Sequence, residues 1–462
     1  MTRRAVGLAF LALACGEPAT WPAPVIGVPE FDVTEVRMPR GDSTRVAVTL
    51  IGVTGHAIAT EPVFASRDTT VAVVDALGTV RARAVGGTWV IASVAGFMDS
   101  IPVTVGVRFV SVNVAWGHAC AITDETEAYC WGASDFGKLM NGGVPARSVP
   151  TLVAGDHAIR AIAGGNNHTC LIDTAGAPWC QGGGSMAPPV ALDTTSDGVS
   201  PARIATSTRF VDIRSGAGSS CGLTAESKLW CWGANTYGEA GTGASGPAIA
   251  VPVPAHPDRT FVQFDLGEHN GTCGLQADGV AFCWGHNDLY QLGREPLTHS
   301  LPAAEPLSGG YQWRSIELGP FNGCGVTTDS LGFCWGQTWI LGSDRDTSAF
   351  RVSIPLPVAG NHRWRMIAVG HYHTCGLDGD GRAWCWGRNY GLTDRDHLRP
   401  VLISTTLRFT SVSSGSGSAC GLATEGRVWC WGYGANLLAQ PDGRTVSAEP
   451  VLIPNQLGPL TP

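Results

Sequence analysis

The sequence predicts an all-β protein: a small β-sandwich followed by a seven-bladed β-propeller. Three observations predict it. Fourteen of the 15 cysteines fall into seven pairs of equal spacing, each in a segment that reads strand, turn, strand. The 61 glycines and 29 prolines break the 462 residues at short intervals, which suits strands joined by tight turns. After the first 14 positions no stretch of 12 or more residues carries an apolar stripe of helical period.

The pairs are Cys120 with Cys130, Cys170 with Cys180, Cys221 with Cys231, Cys273 with Cys283, Cys324 with Cys334, Cys375 with Cys385, and Cys420 with Cys430. Successive second cysteines lie 50, 51, 52, 51, 51 and 45 residues apart, an internal repeat of some fifty residues covering 107–462. An aromatic precedes each second cysteine: Tyr129, Trp179, Trp230, Phe282, Phe333, Trp384 and Trp429. Tryptophan follows it in six repeats, with Gln181 in the other, and glycine comes next in all seven. Turn residues such as Gly379-Asp380-Gly381 sit between the cysteines, so each segment is a β-hairpin.

Directly opposed residues of an antiparallel pair hold their Cβ atoms about 4.5–5.5 Å apart, close to what a disulfide needs. The seven pairs are therefore read as structural disulfides, with buried free thiols as the alternative. The side-chain period of two sends the aromatics flanking the second cysteine to the other face of the sheet. A unit with a cystine on one face and two rings on the other cannot bury its rings alone; stacking such sheets in a ring does. Proline-led apolar segments such as PTLV at 150–153 precede the later repeats, and the last repeat is followed by PVLI at 450–453. The expectation is that this final strand completes the first blade.

The N-terminus, MTRRAVGLAFLALACGEP, places Arg3 and Arg4 before ten apolar residues and Cys15. Ten residues are too few to span a bilayer and suit an export signal. LALAC resembles a bacterial lipobox, with Ala12 where that family prefers leucine. Residues 1–15 are read as a lipoprotein-type signal with lipidation at Cys15, and 16–23 as a linker. Residues 24–105 lack cysteine. Their segment SRDTTVAVVDALGTVRARAVGGTWVIASVAG resembles a group 2 bacterial immunoglobulin-like domain, which implies a β-sandwich spacer.

GGNNHTC at 164–170, YCWGASDFG at 129–137 and their counterparts resemble the repeats of the regulator of chromosome condensation family. The resemblance covers 107–462 and implies a seven-bladed propeller with a central channel. The founding member is a guanine-nucleotide exchange factor that docks on nucleosomes, and secreted bacterial relatives include β-lactamase inhibitory proteins. The basic tails that bind nucleosomes are absent from this sequence. With a net charge of −8, only two lysines (Lys138 and Lys228) and no basic stripe, the chain is not expected to bind nucleic acid.

No catalytic residue, metal or cofactor is assigned. The histidine two places before Cys375 suggests a ligand set, but its equivalents are His118, His168, Ser219, Gly271, Asn322 and Ser418. Asp344-Arg-Asp346 and Asp394-Arg-Asp396 read as solvated loops. The loops after Cys-Trp-Gly differ in length and carry Phe136, Tyr237, Tyr290, Trp339, Tyr390 and Tyr433, the candidate binding residues; packing within the blade is the competing reading. The function expected is an exported, envelope- or surface-anchored, monomeric binding protein without catalysis. It touches the membrane only through a lipid on Cys15 and uses one propeller face to hold a protein or glycan. The alternatives are exchange activity by family analogy, and an enzyme or enzyme inhibitor with its site in the channel. Two or more ionisable groups converging in that channel would favour an enzyme.

Overall fold

The computed structural model of the protein describes residues 27–53, 55–59, 61–143, 145–183, 201–295, 298–344, 349–388, 397–434, 446–453 and 456. Among them the chain is strand and turn, apart from single 3-10 turns at Asp135–Gly137 and Thr338–Ile340. No helix among the described residues is long and apolar enough to cross a membrane. The chain divides into two compact units, Met1–Val36 with Gly41–Val103, and Arg37–Arg40 with Thr104–Pro462.

In the first unit, Gly86–Val94 pairs antiparallel with Val63–Ser66. Its alternation turns Thr88, Val90, Ala92 and Val94 inward, as period two requires. Gly27–Phe31 pairs with Val48–Gly52, and Ser43–Arg45 with Thr79–Ala82. Leu50 and Val80, each at most 1% exposed, add to this core.

From Phe109 onward the described strands form seven four-stranded antiparallel sheets, each built from consecutive strands. The first comprises Phe109–Val114, His118–Thr123, Ala128–Gly132 and Arg147–Leu152. The seventh comprises Phe409–Ser414, Ser418–Ala423, Val428–Tyr433 and Val446–Leu452. In every sheet the two cysteines are direct register partners across the central hairpin. Disulfides join Cys120 to Cys130, Cys170 to Cys180, Cys221 to Cys231 and Cys273 to Cys283. Three more join Cys324 to Cys334, Cys375 to Cys385 and Cys420 to Cys430. The Cα atoms of all seven stand 4.0–4.1 Å apart, so none of these fourteen cysteines is a buried free thiol.

The core lies between sheets. Cys221 and Cys231 of the third sheet pack on Phe261, Phe264 and Trp284 of the fourth. Cys324 and Cys334 of the fifth pack in the same way on Trp364 and Trp386 of the sixth. Cystine face meets ring face, and the six tryptophans after the second cysteine are at most 1% exposed. Three of their indole N–H groups also reach across: Trp284 donates to the Glu239 carbonyl at 3.0 Å, Trp335 to Gln291 at 2.8 Å and Trp386 to Ile340 at 3.0 Å. Each acceptor lies in the loop after Cys-Trp-Gly of the preceding sheet, so each of these three loops is pinned by its neighbour.

The glycine after that tryptophan has a physical reason. Gly336 has φ +100°, and a Cβ there would stand 2.4 Å from the Phe321 carbonyl oxygen. The strand must pass so close to the preceding turn that no side chain fits.

The expectation for the last strand is corrected. Val446–Leu452 pairs with Val428–Tyr433 of its own sheet, Leu452 opposite Trp429 and Val451 opposite Cys430. The first sheet is completed by Arg147–Leu152, which sets Thr151 opposite Cys130. The proline-led segment is thus the outer strand of the repeat that precedes it, and the first repeat has its own. The seventh sheet meets the first by other means. Val114 N–H donates to Ser413 Oγ at 2.8 Å, Phe109 N–H to the Gly426 carbonyl at 2.8 Å, and Val107 bridges to Gln456.

Candidate functional site

The innermost strand of each sheet faces a channel with a cavity of about 460 Å³. The residue opposite the first cysteine of each repeat points into it: Asn113, Ala163, Arg214, Asp265, Glu317, Ala368 and Ser413. Equivalent positions on seven sheets make a ring, and three consecutive members are ionisable. One layer away Asp212 binds Arg214 at 2.7 Å. At this position the charges therefore sit on the third to fifth sheets, with alanine, serine and asparagine on the other four; Arg160 of the second sheet also lines the cavity.

Three of these groups, with Gln263 beside them, brace neighbouring sheets. Asp265 Oδ2 accepts the Leu318 N–H at 2.7 Å. Gln263 donates to the Ile316 carbonyl at 2.9 Å and accepts its N–H at 3.1 Å. Asn113 Oδ1 accepts the Gly164 N–H at 2.8 Å, and Ser413 performs the same task for Val114. Burial raises the pKa of Asp265, against the pull of the Leu318 N–H and Arg214. Glu317 is raised well above the ordinary carboxylate range by burial and by the Asp265 charge. This pair of carboxyls therefore keeps a proton that exposed carboxyls would lose.

At one end of the channel, the turns between first and second strands bring rings together. Trp116, His269, Phe321 and His371 come from the first, fourth, fifth and sixth sheets. Centroid separations are 4.7 Å for Trp116–His371, 4.6 Å for Phe321–His371 and 4.9 Å for His269–Phe321. His371 Nδ1 lies 3.3 Å from Glu268 Oε2. These rings span the mouth of the channel.

A strand that leaves this end and its partner that returns to it put the Cys-Trp-Gly loops on the same face. Trp339 lies 6.5 Å from Tyr372 and 6.1 Å from Phe321, with the Arg388 guanidinium 4.9 Å from its ring. Tyr237 packs on His286 at 4.2 Å, and Tyr290 donates to Glu295 at 3.1 Å; both are half-buried. Phe136 and Tyr433, on the first and seventh sheets, are 54% and 52% exposed, and Trp116 is 36% exposed. Tyr390, Asp346, Asp394, Asp396 and Cys15 lie outside the described residues. The sequence-predicted set thus divides: Tyr237, Tyr290 and Trp339 pack into the face, whereas Phe136 and Tyr433 stand out from it.

The cysteines take no part in this face. Cys130, Cys180 and Cys430, like the second cysteines of the other four sheets, are buried at the cystine side of the sheet and held in disulfides. Neither a thiolate nucleophile nor a sulfur ligand is left among them.

The strand-entry histidines are structural in a way the sequence did not reveal. His118 Nε2 lies 2.8 Å from Thr169 Oγ1, and His168 Nε2 2.9 Å from Ser220 Oγ, each joining one sheet to the next. Burial pushes their pKa values down to about 3 and about 4. Sequence reasoning also missed the channel ring and the mouth aromatics. The signal was available: in six repeats the ring residue precedes the first cysteine by seven places, and by eight in the fourth.

The geometry agrees with what known proteins show. The Regulator of chromosome condensation (RCC1) repeat matches residues 127–172, 210–239, 367–391 and 409–436. Human E3 ubiquitin-protein ligase HERC2 is 26% identical over 279 residues, covering 58% of this chain and 6% of HERC2. The Ultraviolet-B receptor UVR8 of Arabidopsis thaliana is 28% identical over 246 residues, covering 52% of this chain and 54% of UVR8. The crystal structure of Prp20p from Saccharomyces cerevisiae, described with its binding to Gsp1p and histones, superimposes with a TM-score of 0.63 at 19% identity. It covers 76% of this chain and 88% of Prp20p. The chain therefore carries these repeats and has the propeller fold of such proteins, while the match spans about half of UVR8 and a small part of HERC2.

Proposed function

We propose that the protein is an exported, envelope-anchored binding protein whose seven sheets close into a seven-bladed propeller. One face, bearing the Cys-Trp-Gly loops, holds a protein or glycan without catalysis. The observation that carries this reading is the exposure of Trp116, Phe136 and Tyr433 on that face, beside the packed aromatic set around Trp339. Exposed aromatics on a rigid support are what binding hot spots are made of. Prp20p, of like fold, binds proteins, which supports the class of partner.

Seven disulfides suit an oxidising compartment, and a lipobox-like Cys15 suits an anchor in the membrane. The all-β unit before the repeats serves as an immunoglobulin-like spacer within 24–105, and the protein acts as a monomer. Mass spectrometry of the native protein tests the anchor: an intact Met1 with no lipid on Cys15 refutes it. A photo-crosslinking residue at Phe136 tests the face, against one at Leu331 in a turn between second and third strands, at the opposite face. Adducts from position 331 and none from 136 refute the assignment.

A second reading has an observation in its favour. Asp265 and Glu317, with raised pKa values in a channel beside Arg214, have the makings of an acid–base pair. We favour a bracing role because Asp265 is engaged by the Leu318 peptide and Gln263 by the Ile316 peptide. An activity abolished in Glu317→Gln with unchanged thermal stability would favour the enzyme. Guanine-nucleotide exchange requires a cytosolic GTPase, and finding the mature chain outside the cytoplasm removes it.

A further inference from the structure

The expectation of no metal rested on cysteine and histidine spacing within a repeat, and the structure brings together a different set. His286 and Asp288 follow Cys283-Trp-Gly, and His299 stands on the returning strand Thr298–Pro306, where Asn287 pairs with Thr298. The hairpin thus gathers three ligating side chains from both of its arms.

We propose that His286, Asp288 and His299 form a binding site for a divalent transition ion of the zinc type, on the same face as the Cys-Trp-Gly loops. One ligating atom from each residue lies within 4.8 Å of the others, and His286 Nε2 is 3.4 Å from Asp288 Oδ2. Ligand atoms of a tetrahedral zinc ion stand about 3.3 Å apart, given bonds of about 2.0 Å. A small swing of His299, the exposed member, closes the difference.

Two further observations point to a ligand. Asp288 Oδ1 is buried and has no hydrogen-bond partner among the described residues, which is costly unless something charged or polar meets it. His286 Nδ1 lies 3.1 Å from the His269 carbonyl oxygen. A proton on Nδ1 donated to that carbonyl leaves the Nε2 lone pair free toward Asp288, the arrangement in which metal-binding histidines are held. Gln291 Nε2, a donor 3.3 Å from the same Nδ1, competes for the opposite tautomer and must give up that longer contact when Nδ1 carries the proton; Tyr237 packs 4.2 Å from the ring. Arg351 donates to the Asp288 carbonyl at 2.9 Å, so the aspartate's backbone is also held. Two nitrogens and one carboxylate select Zn2+ over Mg2+ or Ca2+, which take all-oxygen shells, and leave a fourth position for water or a partner's side chain.

The test is titration of the metal-stripped, disulfide-intact full chain with Zn2+ in a calorimeter, and with Co2+ as the visible-absorbing replacement. The expected result is one site per chain and a four-coordinate Co2+ spectrum. His299→Ala, a surface change, and Asp288→Asn should each weaken binding at least tenfold, while His56→Ala leaves it unchanged. Equal affinity in wild type, His299→Ala and Asp288→Asn, or no binding by the wild type, overturns the proposal.

Discussion

The inter-sheet histidines give a quantitative prediction about acid stability. His118 and His168 are buried and neutral in the fold, with pKa values lowered from 6.5 to about 3 and about 4. The unfolded chain protonates near pH 6.5 and the folded chain only far below, so the unfolded state takes up protons first as pH falls. Their contribution to stability is therefore complete above about pH 6.5 and is lost as pH drops toward 4. Each histidine costs about 2 kcal/mol at pH 5 relative to pH 7, and the pair about 4 kcal/mol, by proton linkage. Asp265 and Glu317 work in the opposite direction over the same window, because their folded values are raised. The quantity to measure is accordingly the difference between wild type and His118→Gln/His168→Gln, in which those carboxyls cancel. Glutamine keeps a polar nitrogen near the Nε2 position, so the contacts to Thr169 and Ser220 can persist. Urea unfolding followed by tryptophan fluorescence at pH 7 and pH 5 should show the double variant losing about 4 kcal/mol less on acidification. Equal losses in both proteins would refute the reasoning, as would His118 or His168 ring-proton resonances, identified by their loss in the variant, that titrate near 6.5 in the folded wild type.

Replacing both Cys375 and Cys385 by alanine opens a ten-residue loop and should remove about 3 kcal/mol of stability, read by calorimetry. Gly336→Ala, which places a methyl group against the Phe321 carbonyl, should destabilise by about 2 kcal/mol or more; an unchanged melting temperature would show that the strand can move aside. Replacing Phe136 and Tyr433 together by alanine should weaken partner binding at least tenfold without shifting the unfolding midpoint.

The repeat was legible because it is written in covalent and local terms. A ten-residue cysteine spacing across a turn allows one register, and period two then assigns the cystine and the rings to opposite faces. The same spacing therefore served Cys180, which has Gln181 in place of a following tryptophan, as well as Cys130 and Cys430, which have the full motif. The error in the last strand has the same origin. An outer strand such as the one through 150–152 is joined to its sheet only after a long loop, so spacing alone did not say whether it belonged to the repeat before or after it. The loop aromatics were found by composition, but composition did not separate exposed Phe136 and Tyr433 from half-buried Tyr237, Tyr290 and Trp339.

The sequence by itself determined what depends on neighbours along the chain: hairpins, cystine partners, the glycine after each tryptophan, and the fact that rings must be buried between sheets. Only the tertiary structure decided what depends on residues fifty or more positions apart meeting in space. Such are the charged sector of the channel, the Trp116–His371–Phe321 mouth, and the histidines that join one sheet to the next. The reason is that a repeat prescribes each sheet's pairing, whereas side chains at equivalent positions of different repeats are free to differ until the ring places them side by side.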